Sequence, residues 1–145
     1  MNIQESITGL IRRNMKSKLG NAIMELLSKE GFRPELKDNF VIFRIEGTVL
    51  YFSFDDKDEQ YARLVLPNFY EVTSENKVLA LYNMNYLNMR YKFSYLYLDN
   101  DMISVALDML YSSENMKTNM FRMISIILDT RSDFCKEMSK GYSCN

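Results

Sequence analysis

The densest set of groups able to do chemistry is a run of carboxylates, Asp55, Asp56, Asp58 and Glu59. Oxygen-rich runs hold calcium or magnesium, and paired carboxylates serve as acid and base. An EF-hand loop needs a Gly at its sixth position and a Glu at its twelfth. Counted from Asp56, those positions carry Tyr61 and Pro67, so the run reads as a solvated hairpin loop. Asp99 and Asp101 flank Asn100 and read as turn formers, because Asp and Asn bond their own backbone.

The remaining catalytic signals are absences. The chain has no His, which removes Ser-His-Asp and Cys-His nucleophilic catalysis and His-based zinc sites. Its two Cys, Cys135 and Cys144, are too few for a four-thiolate site. Cys135 sits beside an apolar stripe and is expected to be buried and inert. Cys144 is expected to be exposed, with nothing nearby to lower its pKa. Gly9, Gly20, Gly31, Gly47 and Gly141 are too dispersed to form a phosphate loop. The sequence thus predicts no enzyme, no cofactor, and no catalytic or metal-ligating residue.

Two clusters point toward nucleic acid or membrane and are outweighed. Arg12, Arg13, Lys16 and Lys18 suit phosphate or an anionic surface, but the total charge is balanced at −1. A solvated helix face is the plainer account. Tyr91, Phe93, Tyr95 and Tyr97 would suit a stacking platform for single-stranded nucleic acid. Only Arg90 and Lys92 are basic nearby, and alternate strand residues usually face a core. Neither nucleic acid nor membrane is expected as a partner.

A chain of 145 residues is large enough to bury a core without disulfide or metal. The two Cys make no disulfide framework, and a reducing compartment, the cytoplasm, is the expected location. The basic N-terminal segment has no uninterrupted apolar stretch and does not read as a signal peptide. No apolar run approaches the length of a bilayer span. Eleven Met, ten Tyr and nine Phe stand out, and Met suits both irregular cores and adaptable binding surfaces.

The elements that would position these residues follow from periodicity. Ile3, Ile7, Leu10, Ile11 and Met15 recur at helical spacing, and Leu19, Ile23, Leu26 and Leu27 continue the stripe. Ser17 and Gly20 interrupt it and predict a kink or two helices, and Gly31 predicts the stop. Strands are expected over 40–45, 48–54 and 61–66, with Glu46-Gly47 as a tight turn and Pro67 ending the third. Ser74 is the candidate N-cap of a helix over 74–88. Period-two alternation from Tyr91 to Leu98 predicts a fourth strand, and Met102 to Leu110 a fifth. Ser112-Ser113-Glu114 opens a last helix carrying Met120, Ile124, Ile127, Leu128, Phe134 and Met138. The fold class is α+β, in the order helix, three strands, helix, two strands, helix, with helices packed on an antiparallel sheet. Residues 1–17 are expected as an N-terminal helical arm, 18–141 as one domain, and 142–145 as a frayed tail.

The 74–88 helix has an unusual pattern. Val78, Leu79, Ala80, Leu81, Tyr82, Met84, Tyr86 and Leu87 leave little polar face. A helix apolar nearly all round is usually buried on more than one side. Burial within the monomer, under the N-terminal arm for instance, and burial against a partner or second copy are both open. Val78, Leu81, Tyr82, Met84, Asn85 and Asn88 are therefore the candidate partner-binding or dimer residues.

From Val78 onward the chain resembles the bacterial YbjN-type family, described as sensory transduction regulators. The matching features are Asn85-x-x-Asn88 closing a helix, Lys92-Phe93-Ser94, Tyr97, the Asp99-Asn100-Asp101 turn, Phe121-Arg122 and Phe134. The resemblance implies a fold like that of type III secretion chaperones, which resemble dimeric clamps on extended client segments. It carries over no catalytic residue. For Asn85 and Asn88 a structural role at the helix end is expected, since short amides there satisfy orphan carbonyls.

The leading expectation is a non-catalytic protein-interaction module, chaperone-like or regulatory, that binds a partner protein segment or associates with itself. The alternative is a regulatory domain that senses a small ligand in an aromatic pocket near residues 91–97. An enzyme built on the 55–59 carboxylates comes third.

Overall fold

The computed structural model describes residues 18–55 and 57–141, so the expectations for the arm, for Asp56 and for the tail lie outside the described residues. The elements run α1 (Lys18–Lys29), β1 (Glu35–Lys37), β2 (Phe40–Ile45), β3 (Thr48–Asp55), β4 (Asp58–Glu71), α2 (Lys77–Arg90), β5 (Ser94–Asp99), β6 (Met102–Leu110) and α3 (Ser113–Lys140). The strands form one antiparallel sheet in the order β1-β2-β3-β4-β6-β5.

Turn chemistry sets the hairpins. Ile45 pairs with Thr48 across Glu46 and Gly47, both at positive φ, the two-residue loop whose twist matches its strands. Asp99 pairs with Met102 across Asn100 and Asp101, at φ 50° and 61°, by the same device. Helix α1 ends where expected. Gly31 sits at φ 92° and its N–H donates to the Ser28 carbonyl, while the Phe32 N–H donates to that of Leu27. Helix α3 is opened by Ser112, whose hydroxyl accepts from the Asn115 N–H at 3.1 Å.

Alternation then sorts residues between two sheet faces. Val41, Phe43, Leu50, Phe52, Phe54, Leu64, Leu66, Leu96, Ile103, Val105 and Leu107 face the helices. They pack with Ile23 and Leu27 of α1, Ala80, Met84 and Leu87 of α2, and Met116 through Phe134 of α3. Helix α1 lies by β1 and β2, α3 crosses β4 and β6, and α2 sits beside α3 and over β5. Phe134 anchors the centre, with the rings of Phe69 and Tyr70 edge-on to it at 5.8 and 5.2 Å.

Several expectations need correction. Gly20 does not break α1: a Cβ there would lie 2.8 Å from both Leu36 and Phe54, so its bareness lets the helix approach the sheet. A sixth strand, β1, was not foreseen because three residues, Glu-Leu-Lys, carry no readable alternation. Pro67 does not end β4. It falls where the register shifts between Leu66 and Tyr70, so no ladder bond is lost, and the strand resumes to Glu71. The N-cap of α2 is Asn76, not Ser74, and its amide oxygen accepts from the Thr73 N–H. Strand β5 starts at Ser94, not Tyr91. The inward positions are Ser94 and Leu96, and Tyr95 and Tyr97 point to the opposite face. Cys135 is exposed rather than buried. Partial enclosure of its thiol raises its pKa, and Arg131 opposes the shift.

Candidate functional site

Helix α2 carries two apolar stripes. Ala80, Met84 and Leu87, with the polar Asn83, face the core, where the Asn83 amide reaches the Met138 sulfur. The second stripe has no cover among the described residues: Val78 is 70% exposed, Leu81 45%, Tyr82 60% and Met89 79%. Positions 78, 81, 82, 85 and 89 share one side of a helix, so these side chains form a continuous strip. The sequence pattern that looked apolar all round is thus one stripe turned inward and one turned out.

The six candidate residues divide accordingly. Val78, Leu81, Tyr82 and Asn85 lie together on the outer strip, and the Asn85 amide contacts the Met89 sulfur at 3.7 Å. Met84 belongs to the core. Asn88 turns to the sheet edge, where its Oδ1 accepts from the Leu96 N–H at 2.8 Å and its Nδ2 donates to the Leu96 carbonyl at 3.1 Å. It bonds there as a neighbouring strand would. These bonds satisfy a strand edge rather than the helix end that the sequence suggested.

The sheet face away from the helices holds a site that sequence reasoning missed. Arg63 and Asp108 stand opposite each other on β4 and β6 and form an ion pair, Nε to Oδ1 at 2.5 Å. The Tyr61 hydroxyl donates to Asp108 Oδ1 at 3.0 Å and the Tyr95 hydroxyl to Oδ2 at 2.8 Å. Burial works against the Asp108 carboxylate, yet the hydrogen bonds from Arg63, Tyr95 and Tyr61 bring its pKa below the usual value. Desolvation, then Tyr97 beside it, pushes Tyr51 up to about 12. Desolvation and the Asp108 contact push Tyr95 to about 12 as well. The signal was present as alternation in β3, β4 and β6, but which residues meet depends on register between strands distant in sequence.

Among the described residues no group of three or more His, Cys, Asp or Glu is placed to hold a metal. Asp55, Asp58 and Glu59 are exposed. The Asp55 and Asp58 carboxylates each accept a backbone N–H two residues on, from Lys57 at 2.9 Å and from Gln60 at 3.0 Å. No helix among the described residues is long and apolar enough to cross a membrane.

No protein-family model and no curated protein matches the chain, so the YbjN-type resemblance gains no support there. Solved structures match its shape. An uncharacterized protein from Methanothermobacter thermautotrophicus gives a TM-score of 0.62 at 10% identity, over 86% of this chain and 99% of that one. The Yersinia pestis type III secretion chaperone SycH, solved in complex with a stable fragment of YscM2, gives 0.52 at 10% identity, over 78% and 99%. At such identity the likeness is one of fold, and the fold is α+β and secretion-chaperone-like.

Proposed function

We propose that the protein is a non-catalytic protein-interaction module whose outer α2 strip, centred on Val78, Leu81 and Tyr82, grips a segment of a partner protein. The uncovered apolar strip is the observation that carries this reading, since exposed contiguous hydrocarbon marks interaction surfaces. Asn85 lies within the strip, while Met84 and Asn88 hold the helix from behind and at the sheet edge. The fold shared with a chaperone solved on a protein fragment is consistent with a protein partner. We further propose, on the sequence motifs named above, kinship with the YbjN-type family and, on the cysteine usage, a cytoplasmic location.

The test is solution mass by light scattering over a range of concentrations, for the wild type and for Leu81→Asp. If the strip is an interface between copies, the wild type is a dimer and Leu81→Asp gives a folded monomer. If it serves a client instead, the wild type is monomeric and Leu81→Asp abolishes capture of that client. A wild-type monomer in which Leu81→Asp is strongly destabilising would mean the strip is covered from within, and the reading would be dropped.

A further inference from the structure

A second surface left uncovered by the described residues lies away from α2, between the end of β6 and the first half of α3. It is a groove of about 380 Å³, at the low end of ordinary small-molecule sites. Phe93, Met109, Leu110, Met123 and Ile126 supply its apolar wall, with Phe93 and Leu110 largely exposed. Phe93 is held at φ 75°, a conformation unusual for a bulky side chain.

The polar part of the lining comes from α3, beside Met123 and Ile126. Asn115, Asn119 and Arg122 lie on one side of α3, spaced to share a helix face. Arg122 sits over the Phe93 ring at 5.7 Å and has no carboxylate partner among the described residues. Neither Asn side chain has a hydrogen-bond partner among them. Asp108 also borders the groove, but its carboxylate is taken up by Arg63, Tyr61 and Tyr95 on the far face of the sheet. Among the described residues the groove therefore offers hydrocarbon, two free amides and one uncompensated cation.

We propose that this groove binds a small amphipathic carboxylate, with the carboxylate on Arg122 and the Asn119 amide and the apolar body against Phe93, Met109 and Met123. A guanidinium prefers a carboxylate in a fork of two parallel bonds, and leaving water for such a pair favours an anion over a neutral or cationic ligand of equal apolar size. The inference is independent of the α2 reading, since no residue of the strip lines the groove.

Octanoate is the probe, with octanol and octylamine as partners of the same chain length and different charge. The readout is the methyl resonances of carbon-13-labelled Met in the full chain. Octanoate is expected to shift Met109 and Met123 saturably while Met24 and Met84 stay still. Octanol is expected to bind about tenfold more weakly, because it lacks the charge-assisted hydrogen bonds, and octylamine not to bind. Arg122→Gln should bring octanoate down to the affinity of octanol, and Asn119→Leu should weaken octanoate without weakening octanol. Equal binding of the three probes, an unchanged affinity in Arg122→Gln, or no saturable shift would overturn the proposal. So would tighter binding of a peptide with a free C-terminal Leu than of octanoate, which would assign the groove to a chain end.

Discussion

Among the described residues, the outer strip of α2 and the sheet face opposite the helices are both open, and they handle it in opposite ways. On the sheet, large side chains satisfy one another: Arg63 and Asp108 pair, Tyr61 and Tyr95 bond the same carboxylate, and Val65 and Ala106 are buried beneath them. On α2, Val78, Leu81, Tyr82 and Met89 are exposed and have no such network. An open surface that completes its own hydrogen bonds is a finished exterior. An open surface of hydrocarbon with no such network among the described residues is the kind that the proposed partner would cover.

The sharpest way to test that contrast uses one helix. Met84→Asp places a charge in the core and should cost several kcal/mol, on the order of 3–5, enough to unfold a marginal domain. Leu81→Asp, less than a turn away, should change the stability of the isolated monomer by only about 0.5 kcal/mol. Chemical denaturation of both variants measures the difference. If the two cost the same, the outer strip is buried by this chain itself.

The sheet face should be the pH-sensitive region. The Tyr51 and Tyr95 pKa values are raised in the folded state, so folding favours their protonated forms. Their contribution is present below the ordinary tyrosine value of about 10 and is lost as pH rises from there through about 12. Asp108 has the opposite sign. Its contribution is present above the ordinary carboxylate value and is lost as pH falls through its lowered one. Denaturation midpoints across pH should therefore fall at both ends. Asp108→Ala should cost about 1–2 kcal/mol at neutral pH, discounted for partial exposure, and should remove the acid-side loss from this site. A flat acid limb in the wild type would show that the network is not holding the face together.

Asn88 marks where the two regions meet. Asn88→Ala leaves the Leu96 N–H and carbonyl without a partner at the edge of β5, at a cost of about 1 kcal/mol. The opened edge should raise the tendency to form β-rich aggregates, read by thioflavin fluorescence on prolonged incubation. Unchanged aggregation would mean that β5 is too short or too shielded to pair with another chain.

Much of the fold was legible beforehand, and the reasons differ by element. Glu46-Gly47 and Asn100-Asp101 announced their hairpins because positive φ at two adjacent positions is a local demand on residue type. Gly31 announced the end of α1 for the same reason. Strand β1 was silent because three residues are too few for a period. Pro67 misled because whether a missing N–H matters depends on the neighbouring strand, and here a register shift absorbs it. The candidate site was half legible. The apolar excess of α2 could be read, and which stripe faced outward could not, because that is set by what α3 and β5 occupy.

By itself the sequence determined the element order, the α+β class, the turns and the lack of His, since each rests on residue types within a few positions of one another. The tertiary structure alone decided that β6 lies between β4 and β5, and so brings Arg63 to Asp108 and turns Tyr95 away from the core. It alone decided that Asn88 seals Leu96 and that Arg122 stands over Phe93. Such meetings depend on register and packing between segments far apart in the chain, where one residue of slip exchanges one face for the other.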